Sequence, residues 1–339
     1  MEFGIFDQID CSGRPLNIQY EQRMELAELY DRSGFHCLHQ SEHHSTPLSM
    51  APSQNVFLAS LAQRTKRLRL CPLVYVLPIH HPMRLAEEIC MLDHLSNGRF
   101  EFGIGRGASP FELEALGVPA ESAAEAYAES YAILQKYFSS KSVTHEGKYW
   151  TIRDAPVTMT PLQAPIPPMW YVAASPESIV WPAKQGFNVI CGGPADKVRL
   201  ISDRYRAEAG PGNEDALVGI WRFVVVAETD AEALQTAEQA WSRFHDSFYL
   251  LWRVHASEPQ RLKLPGSFAD VVASGFGVAG SPQTVAKVLT RQARAGNLNY
   301  LMSHFMFGDM PHEQALKSVE LFASEVMPAI RKEASGGWL

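Results

Sequence analysis

Residues 68–105 read LRLCPLVYVLPIHHPMRLAEEICMLDHLSNGRFEFGIG, and the fold turns on this stretch. Leu68–Leu77 is an apolar run of strand length. From Met83 to Leu95 the apolar residues recur at helical spacing, and Asn97-Gly98 supplies the stop. Arg99–Gly105 returns to a strand pattern. A strand, a helix and a second strand in that order form a parallel crossover, because parallel neighbours cannot be joined by a tight turn.

The same unit extends in both directions. Towards the N-terminus, Glu2–Phe6 reads as a strand. Ile18–Arg32 reads as a helix with Met24, Leu26, Ala27, Leu29 and Tyr30 as its apolar stripe, closed by Gly34. Phe35–Gln40 is the next strand, and Ser53–Arg67 a helix expected to bury Val56, Leu58, Ala59 and Leu61. Towards the C-terminus a helix is expected over Glu121–Phe138. Strands follow at Trp170–Ala174, Phe187–Cys191, Ile220–Ala227 and Tyr300–Phe305. Helices lie at Pro176–Gln185, Ala195–Ala209, Ala231–Phe244, Pro282–Ala295 and Pro311–Arg331. Eight strands, each followed by a helix, predict an α/β fold, a (β/α)8 TIM barrel, as one domain over residues 1–339. Two stretches interrupt the rhythm as insertions. Residues 139–168, between strands four and five, carry a hairpin of Val143–Glu146 against Tyr149–Ile152. Residues 248–280, between strands seven and eight, are rich in bulky side chains and read as a lid or substrate wall.

Composition narrows the class of partner. The charge is 30 − 37 = −7 over 339 residues, which argues against binding a phosphate backbone. The five cysteines form no C-x-x-C and no disulfide framework. The N-terminus carries acidic and no basic residues, and no apolar run approaches a membrane span of roughly 18 residues. A cytoplasmic protein handling small molecules is expected, with neither nucleic acid nor membrane as partner.

Barrel chemistry sits at the C-terminal ends of strands, so those ends hold the candidates. After strand five, Ser175 suits an N-cap, Pro176 suits N1 and Ser178 falls at N3, which makes a helix N-terminus ready for an anion. Arg106 ends strand four between Gly105 and Gly107, and a guanidinium matches a phosphate bidentately. Strands four and five are neighbours, so both features can converge on one anion; taken singly they read as a cap and an ion pair. Gly103-Ile104-Gly105-Arg106-Gly107-Ala108 imitates a dinucleotide fingerprint, but Pro110 follows and no acid ends a second strand. Seven of the twelve histidines fall within residues 36–94. Strand neighbours on one face are two apart, so His36/His39 and His43/His44 split across faces and no metal site is expected. A metal-dependent barrel hydrolase is the second class of reading. One of His43 and His44 can face the pocket as an acid or base. Phe6 and Cys191 are candidate pocket residues, with barrel core as the plainer reading.

Three runs together carry a resemblance: Ser41-Glu42-His43-His44, Leu77–Glu88, and Leu92–Gly107. With Gly280–Val285 and Phe322–Pro328, they resemble the bacterial luciferase-like flavin-dependent monooxygenases. The resemblance implies a barrel, usually a dimer, that takes reduced FMN from a separate NAD(P)H:flavin reductase. With O2 it would form a flavin C4a-hydroperoxide that oxygenates a small organic substrate. It implies Arg106, Ser175 and Ser178 at the FMN phosphate, with Ala174 beside them. His43 would lie near the isoalloxazine as acid, base or hydroperoxide stabiliser, and His44 would line the substrate pocket. A non-proline cis peptide at Leu73-Val74 would back the ring. Light-emitting relatives have a reactive cysteine where this chain has Gly105, so Gly105 is expected to open space beside the flavin and to disfavour bioluminescence. Other barrel relatives use F420 for hydride transfer, and a non-catalytic flavin-binding protein would retain the same anchors.

Overall fold

The computed structural model describes residues 1–260 and 262–336; residue 261 of the expected 248–280 insertion and residues 337–339 of the expected 1–339 domain lie outside the described residues. The strands are β1 (Glu2–Asp7), β2 (Cys37–Gln40), β3 (Arg69–Pro72), β4 (Tyr75–Val76), β5 (Phe102–Gly105), β6 (Ser142–Glu146), β7 (Thr151–Pro156), β8 (Met169–Ala173), β9 (Asn188–Cys191), β10 (Val218–Val226), β11 (Gly277–Gly280) and β12 (Tyr300–His304). The helices are α1 (Leu16–Ser33), α2 (Gln54–Arg64), α3 (Pro82–Leu95), α4 (Pro110–Ala115), α5 (Ala123–Ser139), α6 (Val180–Lys184), α7 (Ala195–Glu208), α8 (Asp230–Val254), α9 (Phe268–Ala273), α10 (Pro282–Gly296), α11 (His312–Leu321) and α12 (Met327–Ser335).

Nine strands make a nearly closed parallel barrel in the order β3-β2-β1-β12-β10-β9-β8-β5-β4. β3 and β4 are two pieces of one barrel position, broken where the Leu73–Val74 peptide is cis. A parallel bridge between Leu70 and Phe100 brings β3 beside the approach to β5 and closes the circuit. The expected (β/α)8 barrel is therefore present. β11 is an extra strand beside the outer half of β10, with Phe223 opposite Gly277. β6 and β7 form the expected antiparallel hairpin.

Strand alternation sorts the core into two layers. Cys37, Cys71, Leu73, Trp170, Ile190, Tyr300 and Met302 fill the barrel interior, with Phe6 and Trp221 packed on them. The second, larger layer lies between strands and helices. At the N-terminal end the buried Glu101 carboxylate takes hydrogen bonds from Arg69 Nε and Trp170 Nε1. That end is plugged, so an open site is left to the C-terminal mouth. No described helix is long and apolar enough to cross a membrane.

Three local expectations change. Val56 is 71% exposed on α2, where Phe57 is buried instead beside the expected Leu58 and Leu61. α8 continues to Val254, ten residues beyond the expected end at Phe244. The start of the 248–280 insertion is thus helix, and its end is β11. Gly34 and Gly98 adopt positive φ as helix terminators, as expected.

Candidate active site at the barrel mouth

β2 ends at Gln40 and leads into Ser41-Glu42-His43-His44. Glu42 is buried and organises this segment. Its Oε1 pairs with His80 Nε2 at 2.7 Å and His44 Nε2 at 3.2 Å, and its Oε2 accepts the Val76 N–H at 2.6 Å. Burial alone would raise the Glu42 pKa; the bonds from His44, His80 and the Val76 amide outweigh it and pull the group down to about 2. One ionised carboxylate thus ties the end of β2 to β4 and to the loop before α3.

His43 has a different partner. Its Nδ1 lies 3.1 and 3.2 Å from the two oxygens of Glu112, and the His44 backbone N–H donates to Glu112 Oε2 at 2.8 Å. On the opposite edge, Gln8 Nε2 stands 3.5 Å from His43 Nε2. Glu112 was not among the residues singled out from the sequence. Ser109-Pro110-Phe111-Glu112 carries the S-x-x-E pattern of a capping box, which reads as a local helix signal. Ser109 does cap α4, accepting the Glu112 N–H at 3.4 Å.

Glycines on β5 let it press against the cis segment. A Cβ on Gly103 would stand 2.9 Å from Leu73 Cδ1 and Val74 Cγ1, and one on Gly105 would stand 2.4 Å from Val74 Cγ2. The expectation that Gly105 opens space is corrected here: Val74 fills that space. Arg106 follows, exposed, with no hydrogen bond or ion pair among the described residues. Its charge acts on Tyr127, whose buried hydroxyl has no hydrogen-bond partner among the described residues and whose pKa is raised, chiefly by burial. Tyr127 is a second residue that sequence reading missed, since an α5 tyrosine is ordinarily core.

β5 and β8 pair with Gly103 opposite Trp170, and that register continued by three residues brings Arg106 level with Ala173. The turn after β8 therefore lies beside Arg106. Its form differs from the expectation. The helix begins at Val180, not Pro176. Ser178 Oγ donates to the Ser175 carbonyl at 2.7 Å and accepts the N–H groups of Ala174 and Ser175 at 3.3 and 3.1 Å. The Ser178 N–H is itself taken by Ser175 Oγ at 3.3 Å. A serine bonding its own backbone competes with helix, so Ser175–Ser178 is a closed turn and not a free N-terminus.

The remaining candidates separate by face. Phe6 lies in the barrel interior against Trp221 and His304, at centroid distances of 5.3 and 5.6 Å. His304 is buried and held neutral, its pKa lowered to about 3 by burial. Cys191 is corrected as a pocket residue: it packs in the layer between strands and helices, while its neighbour Ile190 faces the interior. His43 and His44 are held by separate carboxylates and do not form a ligand set. Cys37, His39 and Cys71 do cluster in the interior, with His39 Nε2 2.8 Å from the Tyr300 hydroxyl. Burial raises both thiol pKa values and lowers that of His39 to about 3, which makes this an uncharged packing layer.

The mouth is partly bridged from above. Phe111 on α4 stacks on His255 just after α8, with centroids 4.0 Å apart and planes 4° from parallel, and meets Trp252 edge-on at 5.2 Å. The bulky start of the 248–280 stretch thus contacts the element that carries Glu112.

Residues 1–297 match the luciferase-like monooxygenase family. The chain is 39% identical to the uncharacterised protein y4wF of Sinorhizobium fredii, over 97% of each chain. It is 30% identical to the oxygenase component of the flavin-dependent trigonelline monooxygenase of Acinetobacter baylyi, over 91% of this chain and 89% of that one. Among solved structures, the oxygenating constituent of 3,6-diketocamphane monooxygenase from Pseudomonas putida, in complex with FMN, shares the fold with a TM-score of 0.78, 22% identity and 97% and 98% coverage. The F420-dependent tetrahydromethanopterin reductase of Methanopyrus kandleri shares it with a TM-score of 0.69, 19% identity and 97% and 99% coverage.

Proposed function

Because the chain belongs to the luciferase-like monooxygenase family, we propose that it is the oxygenase of a two-component system, taking reduced FMN from a separate NAD(P)H:flavin reductase and using O2 to oxygenate a small organic substrate. The observation that carries this reading is Arg106. It is a cation at a strand end with no carboxylate partner among the described residues, beside the unpartnered Tyr127 hydroxyl and the Ser175–Ser178 turn. An anion placed there would pair with the guanidinium and the Tyr127 hydroxyl, with the closed Ser175–Ser178 turn alongside, and a phosphate is the best match for a guanidinium.

Arg106 and Tyr127 would hold the phosphate, with the Ser175 hydroxyl and Ala174 beside them and Ser178 shaping the turn. Leu73 and Val74 would support one face of the ring. When bound, reduced FMN supplies the electrons with which O2 is activated. His43 would hold or pass a proton at Nε2, the nitrogen turned away from Glu112. His44, held by Glu42, would border the substrate. Phe6 and Trp221 would exclude water from the floor of the site. The protein would act in the cytoplasm as a homodimer. Exposed Val56 on α2 and Met91 and Leu95 on α3 suit the pairing of two copies, and size exclusion tests it.

Anaerobic titration of reduced FMN and riboflavin into wild type and Arg106→Ala tests the phosphate assignment. Hydrogen bonds to charged groups contribute about 1.5–3 kcal/mol, so FMN should weaken by about 10–150-fold while riboflavin stays within about threefold. Equal losses for both ligands would refute it. Tight F420 binding without reduced-FMN binding would move the reading to F420-dependent hydride transfer. Flavin binding with no oxygen incorporated into any of a panel of ketones, aldehydes and aromatics would favour a carrier.

A further inference from the structure

The geometry points to Glu112 as the positioning residue of a Glu112–His43 dyad, one that holds the His43 proton on Nδ1 and leaves the Nε2 lone pair facing the mouth. This rests on the oxygenase reading for its catalytic consequence, but not for its geometry.

The proton position follows from the partner at Nδ1. A carboxylate accepts and cannot donate when ionised, so the nitrogen facing Glu112 at 3.1 Å must carry the hydrogen. On the other edge stands the side-chain amide of Gln8, 3.5 Å from Nε2, which can turn either its nitrogen or its unpartnered oxygen to the ring. Glu112 alone selects the tautomer. The two contacts differ in strength. The Glu112 contact is charge-assisted and of good length, whereas the Gln8 contact, at 3.5 Å, is weak enough to yield to a reacting group.

Placement of the acid supports the assignment. In a capping box the glutamate turns back to the backbone N–H of the cap residue. Here Ser109 caps α4, yet the Glu112 carboxylate turns away from the cap and crosses to the β2 end. There it makes two bonds that hold the His43–His44 backbone and the His43 ring together. Phe111, stacked on His255, holds the same helix against the end of α8.

The tautomer makes Glu112→Gln a sharp test. Glu112 Oε2 receives the His44 N–H at 2.8 Å, so the glutamine oxygen must occupy that position. Its amide nitrogen then takes the Oε1 position, 3.1 Å from His43 Nδ1, where it donates to that nitrogen and favours the proton on Nε2, against competition from the glutamine oxygen 3.2 Å from Nδ1. A near-isosteric change thus favours the inverted ring. In Ser-His-Asp enzymes the equivalent acid-to-amide change costs about 10⁴-fold in kcat through the wrong tautomer.

The experiment is ring-¹⁵N NMR of histidine-labelled protein, with His43→Asn used to identify the His43 signals. Wild type should show a protonated Nδ1 and a pyridine-like Nε2; Glu112→Gln should show the reverse. In the reconstituted reductase assay, Glu112→Gln should lower kcat by at least about 10²-fold, the low end of what a positioned acid–base group contributes, with KM for reduced FMN within about threefold. Glu112→Asp, which still only accepts, should recover part of kcat. An Nε2–H tautomer in wild type overturns the proposal without needing any Glu112 variant. So does an unchanged kcat in a Glu112→Gln protein whose ring has inverted. If no flavin binds but the tautomers behave as stated, the dyad stands and the oxygenase reading falls.

Discussion

Glu42→Gln should remove a defined, acid-labile part of the stability. Glu42 is buried, and its pKa falls from an ordinary 4.5 to about 2 once His44, His80 and the Val76 N–H have overcome the cost of burial. A depressed acid stabilises the fold fully above its unfolded pKa and loses that contribution as pH falls through the folded value. A depression of this size corresponds to about 3 kcal/mol at pH 6. About 1 kcal/mol of this should be lost on reaching pH 3.5, and most of the rest between pH 3.5 and pH 2. Glutamine does not titrate. Urea unfolding of both proteins at pH 6 and pH 3.5 reads the difference of differences. Other buried acids, Glu101 among them, cancel between the two proteins. Wild type should lose about 1 kcal/mol more than Glu42→Gln over this interval. Equal losses would refute the argument that the Glu42 network exists mainly as an ionised hub.

Two other substitutions probe packing. Gly105→Ala puts a Cβ 2.4 Å from Val74 Cγ2, so Val74 must rotate or β5 must shift. A loss of about 1–3 kcal/mol in urea unfolding is expected, as for overpacking elsewhere, and an unchanged midpoint would mean that Val74 yields freely. Phe111→Ala removes the stack on His255 and the edge contact with Trp252. Amides of α4 should then exchange with solvent faster while those of β1 and β12 do not; unchanged exchange in α4 would show that Ser109 and Glu112 alone hold it.

The barrel was legible in the chain because each strand and helix carries its own periodicity and its own stop, such as Gly34 and Asn97-Gly98. Those are local properties, and local residues decide them. The 71% exposure of Val56 and the extension of α8 to Val254 were not legible, because a helix face and a helix end depend on what packs against them. The site divided in the same way. Glu42, His43, His44 and Arg106 announce themselves by sitting at strand ends. Glu112 does not. Its sequence signal is a helix cap, and only the folding of α4 over the mouth brings it 69 residues back to His43. The Ser175–Ser178 segment shows the converse. Read locally it is a helix N-terminus, but the Ser178 hydroxyl satisfies the backbone first and closes a turn.

Sequence by itself determined the number and order of the strand–helix units and which strand ends are polar, since periodicity and capping act within a few residues. Tertiary structure alone decided the closure across the Leu73–Val74 break, the filling of the Gly105 position by Val74, and the pairing of each mouth histidine with its own carboxylate. Those depend on distances between groups far apart in the chain, and distance through space is the one quantity that a linear spacing does not encode.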